Sequence, residues 1–375
     1  MKNDQQYDRY QRQIILPGFG EAAQQKLSQA KVLVVGAGGL GCPVLQYLTA
    51  VGVGTIGIVD DDVVSLSNLH RQVLYSVHDI GLSKAEKAVD TLQQLNPDTK
   101  FHAYNLRLSN NNAAAVIQPF DIVIDGSDNF ATRYLVNDTC VLLDKTLVYG
   151  AVSQYQGQVA VFNCTTHPTR TPVNYRDLFP QPPAENEVLN CEEAGVLGVL
   201  PGIIGSMMAN EIIKLITNTG KALIDRLLTY DARNNQLYEI ELVPRSDTRA
   251  MIPADTQALK KHNYQLHCST PSELEINDEF FEQLVQTGDV DIIDVREKGE
   301  KPTIKQFEHR SIPLAHLQNS ISELKSHTIV VICQSGQRSL QAAQQLNKIF
   351  GGSKKIYSLQ GGILGWKENF QKEST

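Results

Sequence analysis

The chain has 375 residues and a formal net charge of −7 at pH 7. A protein that binds nucleic acid needs a basic surface excess, so this acidic balance argues against nucleic acid as the main partner. The six cysteines are widely spaced, without a CxxC pair, and the segment from Met1 to Arg12 is polar and charged. These features are typical of a reducing compartment, and we expect a cytoplasmic protein without a signal peptide.

The most apolar segment of the chain runs from Gly195 to Ala209. It contains Pro201, and the charged residues Glu211 and Lys214 follow it closely. A helix that crosses a bilayer needs about 20 apolar residues, so this segment is too short. We therefore expect a buried helix and no membrane association.

The first part of the chain alternates short apolar runs with helical patterns. The predicted strands are Lys31–Val35, Thr55–Val59, Asp121–Asp125, Thr146–Tyr149, Ala222–Tyr230 and Gln236–Leu242. The predicted helices are Gly41–Val51, Ser83–Leu95, Asn129–Leu143 and Val199–Asn218. Alternating strands and helices indicate a doubly wound, mostly parallel α/β sheet, which we assign to a domain over residues 1–243.

The remaining segments differ in composition. Thr165–Asn190 is rich in proline and weakly periodic, which predicts a long loop. Residues 244–271 are predicted to be a linker, and residues 272–375 a second, small α/β domain. Its predicted strands are Val290–Asp294, Thr328–Ile332 and Lys355–Tyr357, and its predicted helix is Ser339–Ile349.

A glycine-rich turn joins the first predicted strand to the following helix. Gly36-x-Gly38-Gly39-x-Gly41 has the spacing that lets a backbone approach phosphate closely at a helix N-terminus. Asp60 ends the next strand, where an acid binds ribose hydroxyls. This pattern alone also fits an NAD-dependent oxidoreductase, so the turn predicts a nucleotide but not which one.

Three charged residues near the turn favour a triphosphate. Arg71 and Lys84 add positive charge, which a triphosphate requires because charge builds on it during transfer. Asp128 follows a predicted strand and is placed to hold Mg²⁺ on the phosphates. The alternatives are solvated surface charges for Arg71 and Lys84, and a helix N-cap for Asp128.

Several motifs occur together and in order in this part of the chain. They are Arg9-Tyr10-x-Arg12-Gln13-Ile14, the glycine turn, Val63-Val64-Ser65-Leu66-Ser67-Asn68-Leu69-x-Arg71-Gln72, Gly81-x-x-Lys84 and Ser127-Asp128-Asn129. Their combination resembles the MoeB/ThiF family, bacterial relatives of ubiquitin-activating enzymes, over Tyr7–Leu242. The resemblance implies a Rossmann-like sheet of the ubiquitin-activating-enzyme type.

The resemblance also implies an activity. Members bind a ubiquitin-like sulfur carrier protein, similar to MoaD or ThiS, that ends in Gly-Gly, and its carboxylate attacks the α-phosphate of ATP to give an acyl-adenylate. The residues it places at the nucleotide are Gly39, Asp60, Asp62, Ser67, Asn68, Leu69, His70, Arg71, Gln72, Lys84, Asp128 and Asn129. Asp128 would also hold Mg²⁺, and Arg12 would reach across a homodimer to the partner's phosphates.

Many family members hold a structural zinc ion with two CxxC pairs. Here the corresponding segments are Asn174-Tyr175-Arg176-Asp177 and Leu242–Ser246, without a cysteine, so we expect no structural zinc. Cys191 matches a cysteine often found in these proteins. It is either an acceptor of the acyl group or a small packing residue.

A second motif, Cys333-Gln334-Ser335-Gly336-Gln337-Arg338, lies between a predicted strand and a helix. The helix N-terminus and Arg338 both favour a thiolate at Cys333. With Ile293–Glu297 before it and Leu359–Trp366 after it, Ser272–Phe370 resembles a rhodanese domain, whose loop cysteine carries a persulfide. A phosphatase with a similar loop is the alternative, but that loop is one residue longer. Lys298–Arg310 departs from the rhodanese pattern.

Together the two resemblances imply adenylation of a carrier followed by sulfur transfer from Cys333, giving a thiocarboxylate for molybdopterin or thiamine biosynthesis. The sulfur donor would be a cysteine desulfurase or thiosulfate. Two other functions stay open at this stage, an NAD-dependent oxidoreductase and a non-catalytic binding module for ubiquitin-like proteins.

Overall fold

The computed structural model describes residues 2–165, 169–182, 195–262, 264, 274–297, 299–300 and 302–366. The chain divides into two compact units, residues 1–268 and 269–375, and each is described by itself. Within the described ranges no helix is long and apolar enough to cross a membrane.

The first unit is built on one mixed sheet. In the described part of the unit its strands are β1 (Lys31–Val35), β2 (Thr55–Val59), β3 (Lys100–Tyr104), β4 (Ile122–Asp125), β5 (Thr146–Ser153), β6 (Gln156–Phe162), β7 (Arg226–Asp231) and β8 (Gln236–Glu241). Their order is β3-β2-β1-β4-β5-β6-β7-β8. The first five strands of this order, from β3 through β5, pair in parallel. Strands β6, β7 and β8 continue the sheet with antiparallel pairing. The order of connection reverses between β1 and β4, which is where open α/β sheets bind ligands.

Helices cover both faces of this sheet. They are α1 (Lys2–Ile14), α2 (Gly20–Gln29), α3 (Gly41–Ala50), α4 (Lys84–Leu95), α5 (Ala113–Ile117), α6 (Phe130–Leu142), α7 (Tyr175–Leu178), α8 (Leu200–Thr217), α9 (Ser246–Arg249) and α10 (Thr256–Lys261). In β1, Val32 and Val34 belong to one core cluster and Leu33 and Val35 to another. Burial on both faces explains why this strand is continuously apolar.

The doubly wound fold predicted from the sequence is confirmed, with element bounds that shift by a few residues. In the described part of the first unit, two strands were not predicted. β3 pairs only with β2 and exposes Lys100, His102 and Ala103, so it has no apolar signature. β6 follows β5 through the tight turn at Gln154 and Tyr155, where Gln154 has a φ of 51° without being a glycine.

The segment predicted to be a linker differs in the structure. Its described part packs against the first unit: Leu259 is fully buried in the core, and Tyr264 Oη donates to Asp138 at 2.8 Å. Asp138 also accepts two hydrogen bonds from Arg176, each 2.7 Å long. A buried polar network of this kind leaves no trace in hydropathy, which is why the composition indicated a linker.

The second unit has a smaller, parallel sheet. In the part of this unit that is described, the strands are β9 (Glu275–Ile276), β10 (Val290–Asp294), β11 (Arg310–Ser311), β12 (Thr328–Ile332) and β13 (Lys355–Leu359), in the order β11-β10-β12-β13-β9. Helices α11 (Asp278–Thr287) and α12 (Gln337–Phe350) pack on it. The central strand β12 is buried along most of its length, so the loop that follows it starts from a rigid base.

Candidate functional site

A cavity of about 570 Å³ lies at the carboxyl ends of β1, β2 and β4. Most of the site residues predicted from the sequence line it. They are Gly36, Gly38, Gly39, Asp60, Asp62, Ser67, Asn68, Arg71, Gln72, Lys84, Asp128 and Asn129. Residues that are separated by more than 90 positions along the chain therefore meet at one edge of the sheet.

The glycine turn is held by a backbone contact. A Cβ atom on Gly41 would lie 1.9 Å from the carbonyl oxygen of Gly36, so no other residue fits at position 41. Gly36 has a φ of 90°, which also favours glycine. The turn places Gly38 and Gly39 at the cavity wall, directly before the N-terminus of α3. Free N–H groups and the positive end of the helix dipole make this a suitable place for phosphate.

Asp60 fixes the same turn from the end of β2. Its carboxylate accepts from the backbone N–H of Ala37 at 2.8 Å and from that of Asp62 at 2.9 Å. Burial raises the pKa of Asp60 above its ordinary value. Tyr75, which the sequence analysis did not single out, donates from its hydroxyl to the carbonyl of Ala37 at 2.9 Å. Ala37 is thus held from both sides.

Among the described residues, four cationic side chains line the cavity together with four carboxylates. The buried Lys84 forms an ion pair with the exposed Asp62, with 2.9 Å between Nζ and Oδ2. Arg71 Nη1 donates to the carbonyl of Ser67 at 3.3 Å. Two further arginines that the sequence analysis missed, Arg107 and Arg133, also line the cavity. Arg133 lies one helical turn after Asn129, and this spacing was the available signal.

The turn after β4 presents a carboxylate to the cavity. Asn129, not Asp128, caps helix α6, since its side chain accepts from the N–H of Thr132 at 2.9 Å. Asp128 is exposed at the cavity wall. The buried Asp125 accepts from Ser127 N and Oγ at 2.9 and 2.6 Å and so holds the turn. The N-cap alternative for Asp128 is therefore not what the structure shows.

Four predicted residues lie elsewhere. Gly41 is buried beneath the turn, and Leu69 and His70 flank the cavity without lining it. Arg12 is exposed on α1 and does not line the cavity of its own chain. Cys191 lies outside the described residues.

The segment that corresponds to the family's zinc ligands is held by hydrogen bonds. Asp177 accepts from the backbone N–H of Asn174 at 2.9 Å and of Arg245 at 3.0 Å, and also from the hydroxyl of Thr248. These partners are donors, and a zinc site needs thiolate or imidazole ligands. The residues present therefore do not fit zinc. Within the described ranges no cluster of three potential metal ligands occurs.

In the second unit, Cys333 lies at the end of β12 and is fully buried. Its Sγ accepts from the backbone N–H of Gly336 at 3.2 Å and lies 3.4 Å from the hydroxyl of Ser339. Ser358 Oγ donates in turn to Ser339 Oγ at 2.9 Å. The Gly336 N–H is directed at the sulfur, whereas the Ser339 hydroxyl also donates to the carbonyl of Gly336 at 2.9 Å.

The loop of Cys333 rests on a second turn. Ile363 N donates to the carbonyl of Cys333 at 2.9 Å, and Leu364 N donates to that of Gln334 at 3.1 Å. A Cβ atom on Gly362 would lie 2.5 Å from the backbone nitrogen of Gly336. The contact explains why a glycine pair follows β13.

Arg338, which closes the loop, forms an ion pair with Glu300. The guanidinium nitrogens Nη1 and Nη2 donate to the carboxylate oxygens Oε1 and Oε2, respectively, each at 2.7 Å. The hydrogen bonds from Arg338 lower the pKa of Glu300 to about 2. The charge of Arg338, expected from the sequence to favour a thiolate, is therefore largely compensated.

The two units together define a nucleotide-binding α/β protein that carries a loop thiol in a second domain. Residues 10–250 match the ThiF family, and residues 277–369 match the rhodanese-like domain. The chain belongs to the ThiF family and has a C-terminal rhodanese-like domain, which confirms both resemblances.

Related proteins align with more than half of the chain. It is 39% identical to the "Probable adenylyltransferase/sulfurtransferase MoeZ" of Mycobacterium tuberculosis, over 97% of this chain and 94% of the relative. It is 54% identical to the "Sulfur carrier protein adenylyltransferase" of Thermus thermophilus, over 61% of this chain and 84% of the relative. Among solved structures, PaaA aligns with a TM-score of 0.54 at 20% identity, over 64% of this chain and 75% of that chain, and this likeness concerns the fold alone.

Asp60→Asn tests the role of the Asp60 carboxylate in shaping the turn. The amide cannot accept from both N–H groups, so we expect ATP to bind at least about tenfold more weakly. Isothermal titration calorimetry with ATP measures this. Asp61→Asn, which removes the neighbouring charge without breaking these hydrogen bonds, serves as the control. Equal losses in both variants would contradict the positioning role.

Proposed function

We propose that this protein adenylates the C-terminal Gly-Gly carboxylate of a ubiquitin-like sulfur carrier and then replaces one carboxylate oxygen with sulfur from Cys333. The observation that carries the proposal is that one chain has both a nucleotide cavity and a thiol loop. Cationic side chains and Asp128 line the cavity, and the loop surrounds Cys333. Family membership and the names of the relatives support it.

In the adenylation step, a carboxylate oxygen of the carrier attacks the α-phosphorus of ATP. The bond to the bridging oxygen breaks, and pyrophosphate leaves. The chain contributes position and charge rather than a covalent intermediate. Arg71 and Lys84 neutralise phosphate charge. The Lys84 ammonium group has three N–H donors, and because Asp62 accepts from one of them, the others can donate to phosphate. Asp128 would hold the Mg²⁺ that arrives with ATP and so help to neutralise the phosphate charge.

In the sulfur step, the outer sulfur of a persulfide on Cys333 attacks the carbonyl carbon of the acyl-adenylate. The new C–S bond forms as the C–O bond to AMP breaks. A thiol then attacks the Cys333 sulfur, which forms a disulfide and releases the carrier thiocarboxylate. That thiol is external to the chain. Cys191 keeps its two interpretations, an acceptor of the acyl group and a small packing residue.

The two alternative functions have less support. An NAD-dependent oxidoreductase has no need of the cations at the cavity, Arg71, Lys84, Arg107 and Arg133. A non-catalytic binding module has no need of the exposed Asp128 carboxylate at the wall of the cavity. The product would serve molybdopterin or thiamine biosynthesis in the cytoplasm. We also propose that the protein works without a structural zinc ion.

Asp128→Ala tests the role of this carboxylate in catalysis. Without a ligand for Mg²⁺ on the phosphates, we expect ATP–pyrophosphate exchange with Gly-Gly carriers from the same genome to fall by at least about 100-fold. The far-ultraviolet circular dichroism spectrum should stay unchanged, since the side chain is exposed. Asp90→Ala, an exposed acid on α4, is the control. Exchange at the wild-type rate in Asp128→Ala would contradict the role of this carboxylate, whereas no exchange by the wild-type protein with any Gly-Gly carrier would favour the binding module.

A homodimer in which Arg12 reaches the partner's site predicts complementation between two inactive variants. Mixing Arg12→Ala with Asp128→Ala protein gives heterodimers with one intact site. Random exchange of subunits should then restore about a quarter of the wild-type exchange activity. If Arg12 acted within its own chain, no mixed dimer would have an intact site, and activity would stay at the level of the separate variants.

Cys333→Ala separates the two activities. Because the persulfide forms on Cys333, we expect thiocarboxylate formation to be lost while ATP–pyrophosphate exchange continues at the wild-type rate. Mass spectrometry of the carrier measures the first, and exchange measures the second. Cys164→Ala, which removes a half-buried thiol of the first unit, should affect neither. Thiocarboxylate formation by the Cys333→Ala variant would contradict the assigned role.

A further inference from the structure

The loop from Cys333 to Arg338 has one charged residue, Arg338. Its guanidinium group forms two parallel hydrogen bonds of 2.7 Å with Glu300, a residue outside the loop. The two side chains are 34% and 24% exposed, so the pair lies at the surface of the loop but is partly shielded from water. A bidentate pair with this geometry holds both groups in place.

The charge of a second arginine near the loop is also neutralised by a carboxylate. Arg296 follows β10, whose residue Asp294 is aligned with Ile332 immediately before Cys333. Arg296 binds Asp294 at 2.8 to 3.1 Å, and both are almost fully buried. In the described part of the second unit, the arginines at positions 296 and 338 thus each have their own carboxylate. Neither offers a free cation to an anionic donor.

The two expected sulfur donors differ in charge. Thiosulfate is a dianion, and its leaving group, sulfite, also carries two negative charges. The sulfane sulfur of a persulfide carries at most one negative charge. An uncompensated arginine at the loop would attract the dianion more strongly than the persulfide, and a neighbouring carboxylate cancels that advantage.

We propose that Glu300 is a specificity residue of the sulfur-transfer site, which by neutralising Arg338 disfavours thiosulfate and leaves organic persulfides as the preferred donor class. This inference depends on the proposed persulfide chemistry of Cys333. In the favoured step, the Cys333 thiolate attacks the outer sulfur of the donor persulfide. The Sγ–S bond forms as the donor S–S bond breaks, and the electron pair leaves with the donor thiolate.

The Glu300→Gln variant tests the charge of Glu300 while keeping its shape. Glutamine can still accept from Arg338 and from the backbone N–H of Glu297, which now donates to Glu300 at 2.7 Å. We expect kcat/KM for thiosulfate to rise at least about tenfold, and the gain to shrink with added salt. With cysteine persulfide as the donor, kcat/KM should change less than about twofold, because that donor depends little on the cation.

Two matched variants complete the experiment. Glu297→Gln removes the same charge from an exposed neighbour whose side chain does not bind Arg338. It should leave kcat/KM unchanged for both donors. Glu300→Asp keeps the charge but shortens the side chain, and should still discriminate against thiosulfate. The inference would be overturned if Glu300→Asp raised kcat/KM for thiosulfate as much as Glu300→Gln, or if Glu300→Gln changed kcat/KM equally for both donors. Glu300 would then only position Arg338.

The outcome also separates this inference from the proposed function. If wild-type protein forms no persulfide on Cys333 with either donor, the proposed sulfur transfer fails. If wild-type protein forms it and the Glu300→Gln variant shows no gain with thiosulfate, only the assignment of Glu300 fails. Thermal unfolding of each variant verifies that the second unit is folded at the assay temperature.

Discussion

The first unit depends on one close backbone contact, between Gly41 and the carbonyl oxygen of Gly36. The contact turns the chain sharply at the end of β1, so that α3 begins at the carboxyl edge of the sheet. Asp60 and Tyr75 then fix Ala37 inside the turn. Because the phosphate-binding backbone is set by these contacts before a nucleotide arrives, binding costs little reorganisation.

The second unit also depends on the close approach of two glycines, but around a thiol loop. Its loop also follows a central parallel strand, and its shape depends on Gly362 lying against the backbone of Gly336. Here the donors converge on a sulfur atom instead of a phosphate. In both units a strand-to-helix turn presents backbone N–H groups, and we propose that the surrounding charges select the partner that reacts. At the cavity four cationic side chains of the described residues stand beside four carboxylates, whereas at the thiol loop Glu300 pairs with Arg338.

The sequence predicts what depends on local pattern. Strands β1, β2 and β4 are apolar runs, and the glycine turn, Asp128 and the Cys333 loop are short motifs at strand ends. It does not predict contacts between residues that are distant in the chain. Tyr75 reaches Ala37 across 38 positions, and Glu300 reaches Arg338 across the same number. The packing of residues 244–262 and Tyr264 on the first unit was missed for the same reason, since the partners of Tyr264 and Arg245 lie far back in the chain.

The central claim, that the carrier carboxylate is activated by transfer of AMP and then exchanged for sulfur, is tested most directly by following the oxygen atoms. A carrier labelled with oxygen-18 in its terminal carboxylate is incubated with the protein, Mg-ATP and a persulfide donor, and the AMP is analysed by mass spectrometry. The account predicts that each AMP released carries one labelled oxygen, because the C–O bond breaks on the carbonyl side. Unlabelled AMP, accompanied by a carrier that keeps both labelled oxygens, would contradict it.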